Sequence, residues 1–195
     1  MTPRRLANRF LLDGPLLGEG ETGRVLAGVD LESQSAVAIK LLHPHVVEDE
    51  DAYRRLQSEA GTAARLSHRN VMRVHGLWSD DGEWFLVSER VDGAPLESIE
   101  GSLAPEAVVA LGCQLTEALV ETHRLGLVHG DVRPAKVLLA SRGAVLFGFG
   151  LAGSGARTIG CPGQTAPEVQ RGAPPGVPAD LYGVGVVLHR ALTGS

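Results

Sequence analysis

The sequence has few lysines, few aromatic residues and few cysteines. Lys40 and Lys136 are the two lysines among 18 basic residues, and aromatic residues make up 4% of the 195 positions. Cys113 and Cys161 lie far apart without a second pair at metal-ligand spacing, so we expect neither a disulfide nor a zinc site. The longest apolar run, residues 184–188, is too short to cross a bilayer, and residues 1–10 have no apolar signal segment. These absences favour a cytoplasmic protein without a membrane segment in this chain.

The overall composition is that of a folded globular protein. Hydrophobic residues account for 44% and charged residues for 21% of the chain, which argues against a disordered protein or a coiled coil. The net charge of -5 argues against nucleic acid as a partner. The length is sufficient for a buried core, in one domain of two lobes or in two small domains.

Short alternating apolar runs in the first half predict a small antiparallel sheet. The predicted strands are "RFLLDGPLLGEG", "GRVLAGVDL", "SAVAIKLL", "VMRVHGLW" and "EWFLVSERV". One helix is predicted between the third and fourth strands, because apolar residues keep helical spacing after an acidic start. Its apolar positions are Tyr53, Leu56, Ala60, Ala63 and Ala64.

The second half, after a predicted linker at "VDGAPLES", has longer helical patterns. An apolar stripe predicts a helix that begins near Pro105 and ends before Gly126. Its members are Val108, Leu111, Leu115, Ala118 and Leu119. Short strands are predicted in "GLVHGDV" and "KVLLASRGAVLFGFG", and a last helix near Asp180. Together these patterns predict an α+β fold.

The segment "GEGETGRV" is a glycine-rich turn of the GxGxxGxV type, with Gly18, Gly20 and Gly23. Glycines allow a backbone to approach phosphate oxygens closely. A dinucleotide-binding fingerprint has a similar spacing but opens a helix. Here the following residues read as strands, so we favour a strand-turn-strand phosphate cover.

Lys40 ends the apolar segment "AVAIK", and Glu59 lies on the predicted helix that follows. A lysine held by a glutamate can point at the phosphates of a nucleotide. The alternative is an ordinary surface ion pair, which contributes little to stability. We favour the nucleotide-binding interpretation because other motifs recur around this pair.

Taken in order along essentially the whole chain, these motifs resemble the protein kinase family, in particular bacterial Ser/Thr kinases. After "GEGETGRV" and "VAIK" come "LSHRNVMRVHG", "HGDVRP", "GFG", "GCPGQTAPE" and "ADLYGVG". The resemblance implies a two-lobed fold with an N-lobe over residues 10–91 and a C-lobe over residues 92–195. It implies a C-lobe truncated after the helix near Asp180, so the chain is either a fragment or a truncated protein that needs another surface.

The resemblance also implies roles for individual residues. ATP would be covered by the glycine-rich turn and Val25, and Ala38 would contact the adenine. Lys40, braced by Glu59, would bind the phosphates. Ser88 would be the gatekeeper, and Glu89 to Val91 the hinge. In the catalytic loop, Asp131 would be the base that orients the substrate hydroxyl, and Arg133 takes the place of the usual phosphate-contacting lysine.

The departures from the family pattern concern the metal. Lys136 replaces the asparagine, and Gly148 the aspartate, that would hold Mg²⁺. No Asp or Glu occurs from Val132 to Pro167, whereas Mg²⁺ requires oxygen ligands. We therefore expect no metal site. Gly130 also replaces the arginine that reads a phosphorylated loop, and Cys161 and Gln164 replace the usual Thr and Tyr.

Three functional hypotheses follow. In the first, which we favour, the chain is a pseudokinase that acts as a signalling or interaction module with a protein partner, either responsive to nucleotide or purely structural. ATP would bind without divalent metal, with the Lys136 ammonium near the phosphates. Equally open is a Lys136 that points to solvent or blocks an empty pocket. The second is an active Ser/Thr kinase that transfers the ATP γ-phosphate to protein through Asp131 with unusual metal use. The third is a decayed domain without ligand.

Overall fold

The computed structural model describes residues 4–47, 50–149 and 163–195. Within these ranges the chain forms two compact units. Among these residues, the first unit comprises residues 4–47, 50–65, 73–90 and 149, and the second comprises residues 66–72, 91–148 and 163–195. Cys161 lies outside the described residues.

The first unit contains a six-stranded antiparallel sheet in the order β1-β2-β3-β4-β6-β5. The strands are β1 (Arg4–Leu6), β2 (Phe10–Gly20), β3 (Gly23–Asp30), β4 (Ser35–Leu42), β5 (Val74–Asp80) and β6 (Glu83–Glu89). The predicted sheet is thus confirmed, with a shorter β5 than expected. Strand β1 was not predicted, because three residues are too few to show an alternating pattern of apolar and polar residues.

One face of this sheet carries a buried apolar cluster of the first unit. Odd-numbered residues of β4 point into it with residues of β1, β2 and β6, since side chains alternate along a strand. The buried cluster consists of Leu6, Phe10, Val37, Ile39, Leu41, Phe85 and Val87. Trp78 packs edge-on against Phe10, with ring centroids 4.8 Å apart. The even-numbered residues of β4 consequently belong to the opposite face.

Helix α1 (Glu50–Ala63) packs on β5 of the same unit. Leu56, Ala60 and Ala63 are buried, as the helical spacing predicts. Tyr53 lies against Trp84, with ring centroids 4.6 Å apart. Ala64 falls just after the helix.

An ion pair closes the edge of the first unit. Arg9 donates from Nε and Nη2 to the two carboxylate oxygens of Asp30, at 2.9 and 2.8 Å. The hydrogen bonds from Arg9 hold the pKa of the Asp30 carboxyl well below its usual range. This pair fastens the turn before β2 to the end of β3.

Among the described residues, the second unit contains the long helix α2 (Pro105–Arg124), two further helices and a small sheet. The others are a sheet of β7 (Gly93–Pro95), β8 (Val137–Ala140) and β9 (Gly143–Leu146), a short helix α3 (Pro167–Gln170), and helix α4 (Val177–Thr193). The apolar stripe predicted for α2 is buried. Helix α2 packs against α4, which begins at Val177 rather than near Asp180 because Gly176 is an extended N-cap.

Two local predictions in this unit were wrong. The predicted linker "VDGAPLES" contains β7, which pairs with β8 in antiparallel register. The segment "GLVHGDV" is not a strand but an irregular loop whose backbone groups bond to side chains of other elements. Both errors concern segments whose partners lie far along the chain. No helix within the described ranges combines the length and the apolar character needed to span a membrane.

Candidate functional site

The glycine-rich turn connects β2 to β3, and its glycines have different surroundings. Gly18 and Gly20 have open space where a side chain would begin. Gly23 has a φ of 150°, and a Cβ built on it would lie 2.0 Å from the carbonyl oxygen of Leu41. Any other residue at position 23 would therefore displace the turn from β4, whereas Gly18 and Gly20 leave room for a ligand.

The residues predicted to contact the nucleotide in this unit share one face of the sheet. Lys40 pairs with Val25 across the β3–β4 ladder, and Ala38 lies two residues earlier on the same face. Ser88 pairs with Ala38 from β6. Strand register thus places these four residues side by side, on the face opposite the apolar core.

Lys40 is held by the turn itself. Its Nζ donates a hydrogen bond to Oγ1 of Thr22, a residue of the glycine-rich turn. Glu59 lies on α1 and is partly buried. The pairing of Glu59 with Lys40 stays a prediction.

The predicted hinge begins at Glu89, the last residue of β6. Glu89 bonds to Arg73 twice: its backbone N–H donates to the Arg73 carbonyl at 2.8 Å, and its side chain accepts from the Arg73 N–H at 2.9 Å. The first unit includes residues up to Arg90, and Val91 begins the long segment of the second unit. The hinge role of Glu89 and Val91 stays a prediction.

In the second unit, a buried carboxylate organises the loop that contains Asp131. Asp180 of α4 is fully buried, and its Oδ1 accepts from the Gly130 N–H at 2.7 Å. Its Oδ2 accepts from the His129 N–H at 2.9 Å and lies 2.8 Å from Nε2 of His123. The N–H groups of His129 and Gly130 have no strand partner, and the Asp180 carboxylate accepts hydrogen bonds from both.

The imidazole of His129 is a neutral part of the same loop. The Asp131 N–H donates to its Nδ1 at 3.2 Å, so Nδ1 carries no proton. Nε2 consequently bears the proton and donates to the Phe147 carbonyl at 3.0 Å. Burial lowers the pKa of His129, which favours this neutral form.

Asp131 and Arg133, the predicted catalytic pair, contact each other. Nε of Arg133 lies 3.0 Å from Oδ1 and 3.2 Å from Oδ2 of Asp131. Both side chains are about 30% exposed, at 29% for Arg133 and 30% for Asp131. The carboxylate is therefore accessible, with a guanidinium beside it.

Lys136 and Gly148, which are predicted to stand at the metal-ligand positions of the family, are neighbours in the second unit. Gly148 has a φ of 107°, and a Cβ built on it would lie 3.4 Å from Cδ of Lys136 and 3.8 Å from Nε2 of His129. The Lys136 ammonium lies 5.6 Å from the centroid of the Phe147 ring. The aliphatic part of Lys136 thus passes beside the place where the family pattern has an aspartate side chain.

These residues do not fit a divalent metal. Lys136 brings a positive charge and Gly148 has no side chain, whereas Mg²⁺ requires oxygen ligands. Throughout residues 4–47, 50–149 and 163–195, no three His, Cys, Asp or Glu side chains come together in a way that could hold an ion.

Sequence reasoning missed the roles of Thr22, Asp180 and Gly183. A Cβ on Gly183 of α4 would lie 2.3 Å from the Val132 carbonyl oxygen, so this glycine lets the helix approach the Asp131 loop closely. The sequence does contain a signal for Asp180, since it is an acidic residue in the first turn of a mostly apolar helix. Nothing in the sequence indicates which groups it binds.

Comparison with known proteins shows the family of the chain. The protein kinase domain family matches residues 12–195. The Ser/Thr protein kinase PkaA of Streptomyces coelicolor is 33% identical, over 98% of this chain and 40% of PkaA. PknB of Mycolicibacterium smegmatis is also 33% identical, over 99% of this chain and 34% of PknB. The chain thus spans less than half the length of these relatives.

Solved structures agree as well. The kinase domain of Mycobacterium tuberculosis PknI superimposes with a TM-score of 0.82 at 28% identity, covering 98% of this chain and 76% of that one. The predicted kinase-like α+β fold is therefore confirmed. The chain belongs to the protein kinase family.

Proposed function

We propose that this domain is a pseudokinase that binds ATP without a divalent metal and serves as a signalling module for a protein partner. The observation that carries the proposal is the pair of Lys136 and Gly148, which stand together where the family pattern has two metal ligands. The proposal includes an N-lobe over residues 10–91 and a C-lobe over residues 92–195.

The first unit supports nucleotide binding. Its sheet presents Val25, Ala38 and Lys40 on one face, next to a glycine-rich turn with open space at Gly18 and Gly20. An ammonium and closely approachable backbone N–H groups are suited to phosphate oxygens. Binding of ATP is also what membership of the kinase family implies in general.

The charges at positions 136 and 148 of the second unit support ATP binding without a metal ion. Gly148 in place of the family's aspartate removes one negative charge, and Lys136 in place of the family's asparagine adds one positive charge. The sum is two units, which is the charge of one Mg²⁺ ion. An ammonium can offset phosphate charge, but a flexible side chain does not reproduce the geometry by which metals bridge phosphates during transfer. We therefore expect binding with little or no catalysis.

Titrations with ATP test this proposal, in Mg²⁺ and in EDTA, followed by thermal shift and calorimetry. We expect similar binding in both buffers. Lys136→Met removes the charge at similar length and should weaken binding about tenfold to a hundredfold, the effect of one charged hydrogen bond. Lys136→Arg, which keeps the charge, is the matched control. Stabilisation that vanishes in EDTA would contradict the proposal, and no binding in either buffer would favour a domain without ligand.

The alternative function is an active Ser/Thr kinase. Its support is Asp131, which is present, accessible and held in a loop with a buried anchor. In such a reaction a substrate hydroxyl attacks the γ-phosphorus of ATP, the bond to the ADP oxygen breaks, and the hydroxyl proton passes to Asp131. Transfer of labelled phosphate in Mg²⁺ or Mn²⁺ that Asp131→Ala abolishes would establish this activity and overturn the pseudokinase proposal.

A further inference from the structure

Three contacts join Thr22 and Gly23 of the glycine-rich turn to β4 and to His43, the residue that follows it. The Thr22 carbonyl oxygen accepts a hydrogen bond from the His43 N–H at 3.1 Å. Gly23 packs against Leu41 so closely that no side chain fits between them. The Thr22 hydroxyl accepts from the Lys40 ammonium. The backbone hydrogen bond of Thr22 and the packing of Gly23 fix the position of the Thr22 backbone. The Thr22 hydroxyl therefore lies within reach of Lys40 in the folded turn.

A phosphate oxygen that reaches Lys40 from the side of the turn competes with the Thr22 hydroxyl for the N–H donor that points there. An ammonium has three N–H donors, and its hydrogen bonds to oxygen are stronger than those between neutral groups. A phosphate that approaches Lys40 from the side of the turn meets the Thr22 hydroxyl already bound there. Rotation about χ1 of Thr22 releases the hydroxyl, so displacement costs about one charged hydrogen bond.

We propose that Thr22 lowers the affinity of this domain for nucleoside polyphosphates, by occupying one N–H donor of the Lys40 ammonium until a phosphate oxygen displaces it. The inference rests on the proposed binding of ATP and adds a determinant of its strength. Removal of the hydroxyl should therefore tighten binding. A Thr22 that instead orients Lys40 for phosphate would give the opposite result.

The experiment compares the wild type with Thr22→Val, which removes the hydroxyl at nearly constant shape. We expect ATP to bind Thr22→Val about tenfold more tightly, and Thr22→Ser to restore the wild-type affinity. Thr62→Val makes the same chemical change on α1, where the hydroxyl bonds to the Ser58 carbonyl, and should leave ATP binding unaffected. Equal or weaker binding by Thr22→Val would overturn the inference.

A second readout tests the contact without nucleotide. Because Lys40 and Lys136 are the two lysines of the chain, competitive acetylation followed by mass spectrometry reports on Lys40 with Lys136 as internal reference. We expect Lys40 to react several-fold faster in Thr22→Val, and an unchanged ratio would overturn the inference. A third outcome separates this inference from the proposed function. If neither protein binds ATP but the ratio of Lys40 to Lys136 acetylation rises in Thr22→Val, the contact between Thr22 and Lys40 is present. ATP binding, and with it the role of Thr22 in ATP affinity, would then be refuted.

Discussion

The two units hold their site residues in different ways. In the first unit, Val25, Ala38 and Lys40 occupy fixed places in a ladder of backbone hydrogen bonds. In the second unit, the residues around Asp131 lie in a loop without a ladder, which one buried carboxylate anchors. The position of Asp131 therefore depends on a single side chain of another element, whereas the positions of Val25, Ala38 and Lys40 depend on many backbone hydrogen bonds.

Loss of the loop anchor should have the largest effect. Asp180→Asn replaces one acceptor oxygen by an NH₂ group and leaves a buried N–H of Gly130 or His129 without a partner. We expect a loss of about 3–5 kcal/mol in the free energy of unfolding, measured by urea denaturation. Glu121→Gln, at an exposed ion pair 3.8 Å from Arg124, is the control and should change stability by less than about 1 kcal/mol. Equal effects of the two variants would contradict the anchoring role.

The second largest loss of stability should come from disturbing the close packing of α4 against the Asp131 loop. Gly183→Ala places a Cβ 2.3 Å from the Val132 carbonyl oxygen, so the helix and the loop must separate. We expect destabilisation of about 1–3 kcal/mol by thermal unfolding. Gly185→Ala is matched, because it lies in the same helix with open space around it, and should be neutral or stabilise by up to about 1 kcal/mol. A neutral Gly183→Ala would show that the packing is loose.

The ion pair of the first unit should matter less and depend on pH. Asp30→Asn should cost about 1–2 kcal/mol at neutral pH, because Arg9 is 36% exposed and solvent weakens the pair. The pKa of Asp30 is lower in the folded than in the unfolded protein, so its contribution is complete above about pH 4 and is lost as the pH falls further. Urea denaturation of wild type and variant from pH 7 to pH 3 measures this. Curves that stay parallel throughout would contradict it.

The sheet of the first unit was predictable because each strand shows its own alternation of apolar and polar residues. The stripe of α2 was predictable for the same reason, since its buried residues recur at helical spacing. Strand β7 and the loop before Asp131 were not, because their backbone partners are Leu138 to Ala140 and Asp180, which local patterns do not identify. The predicted nucleotide residues of the first unit share a face, as alternation along β4 requires.

The sequence by itself determined the order of the elements, the kinase motifs, and the absence of acidic residues from Val132 to Pro167, because these are properties of neighbouring residues and of composition. Only the tertiary structure decided that Thr22 contacts Lys40, that Lys136 passes beside Gly148, and that Asp180 holds the Asp131 loop. Each of these contacts joins residues far apart in the chain. Their distance and direction depend on strand register and helix packing, which the whole fold must establish first.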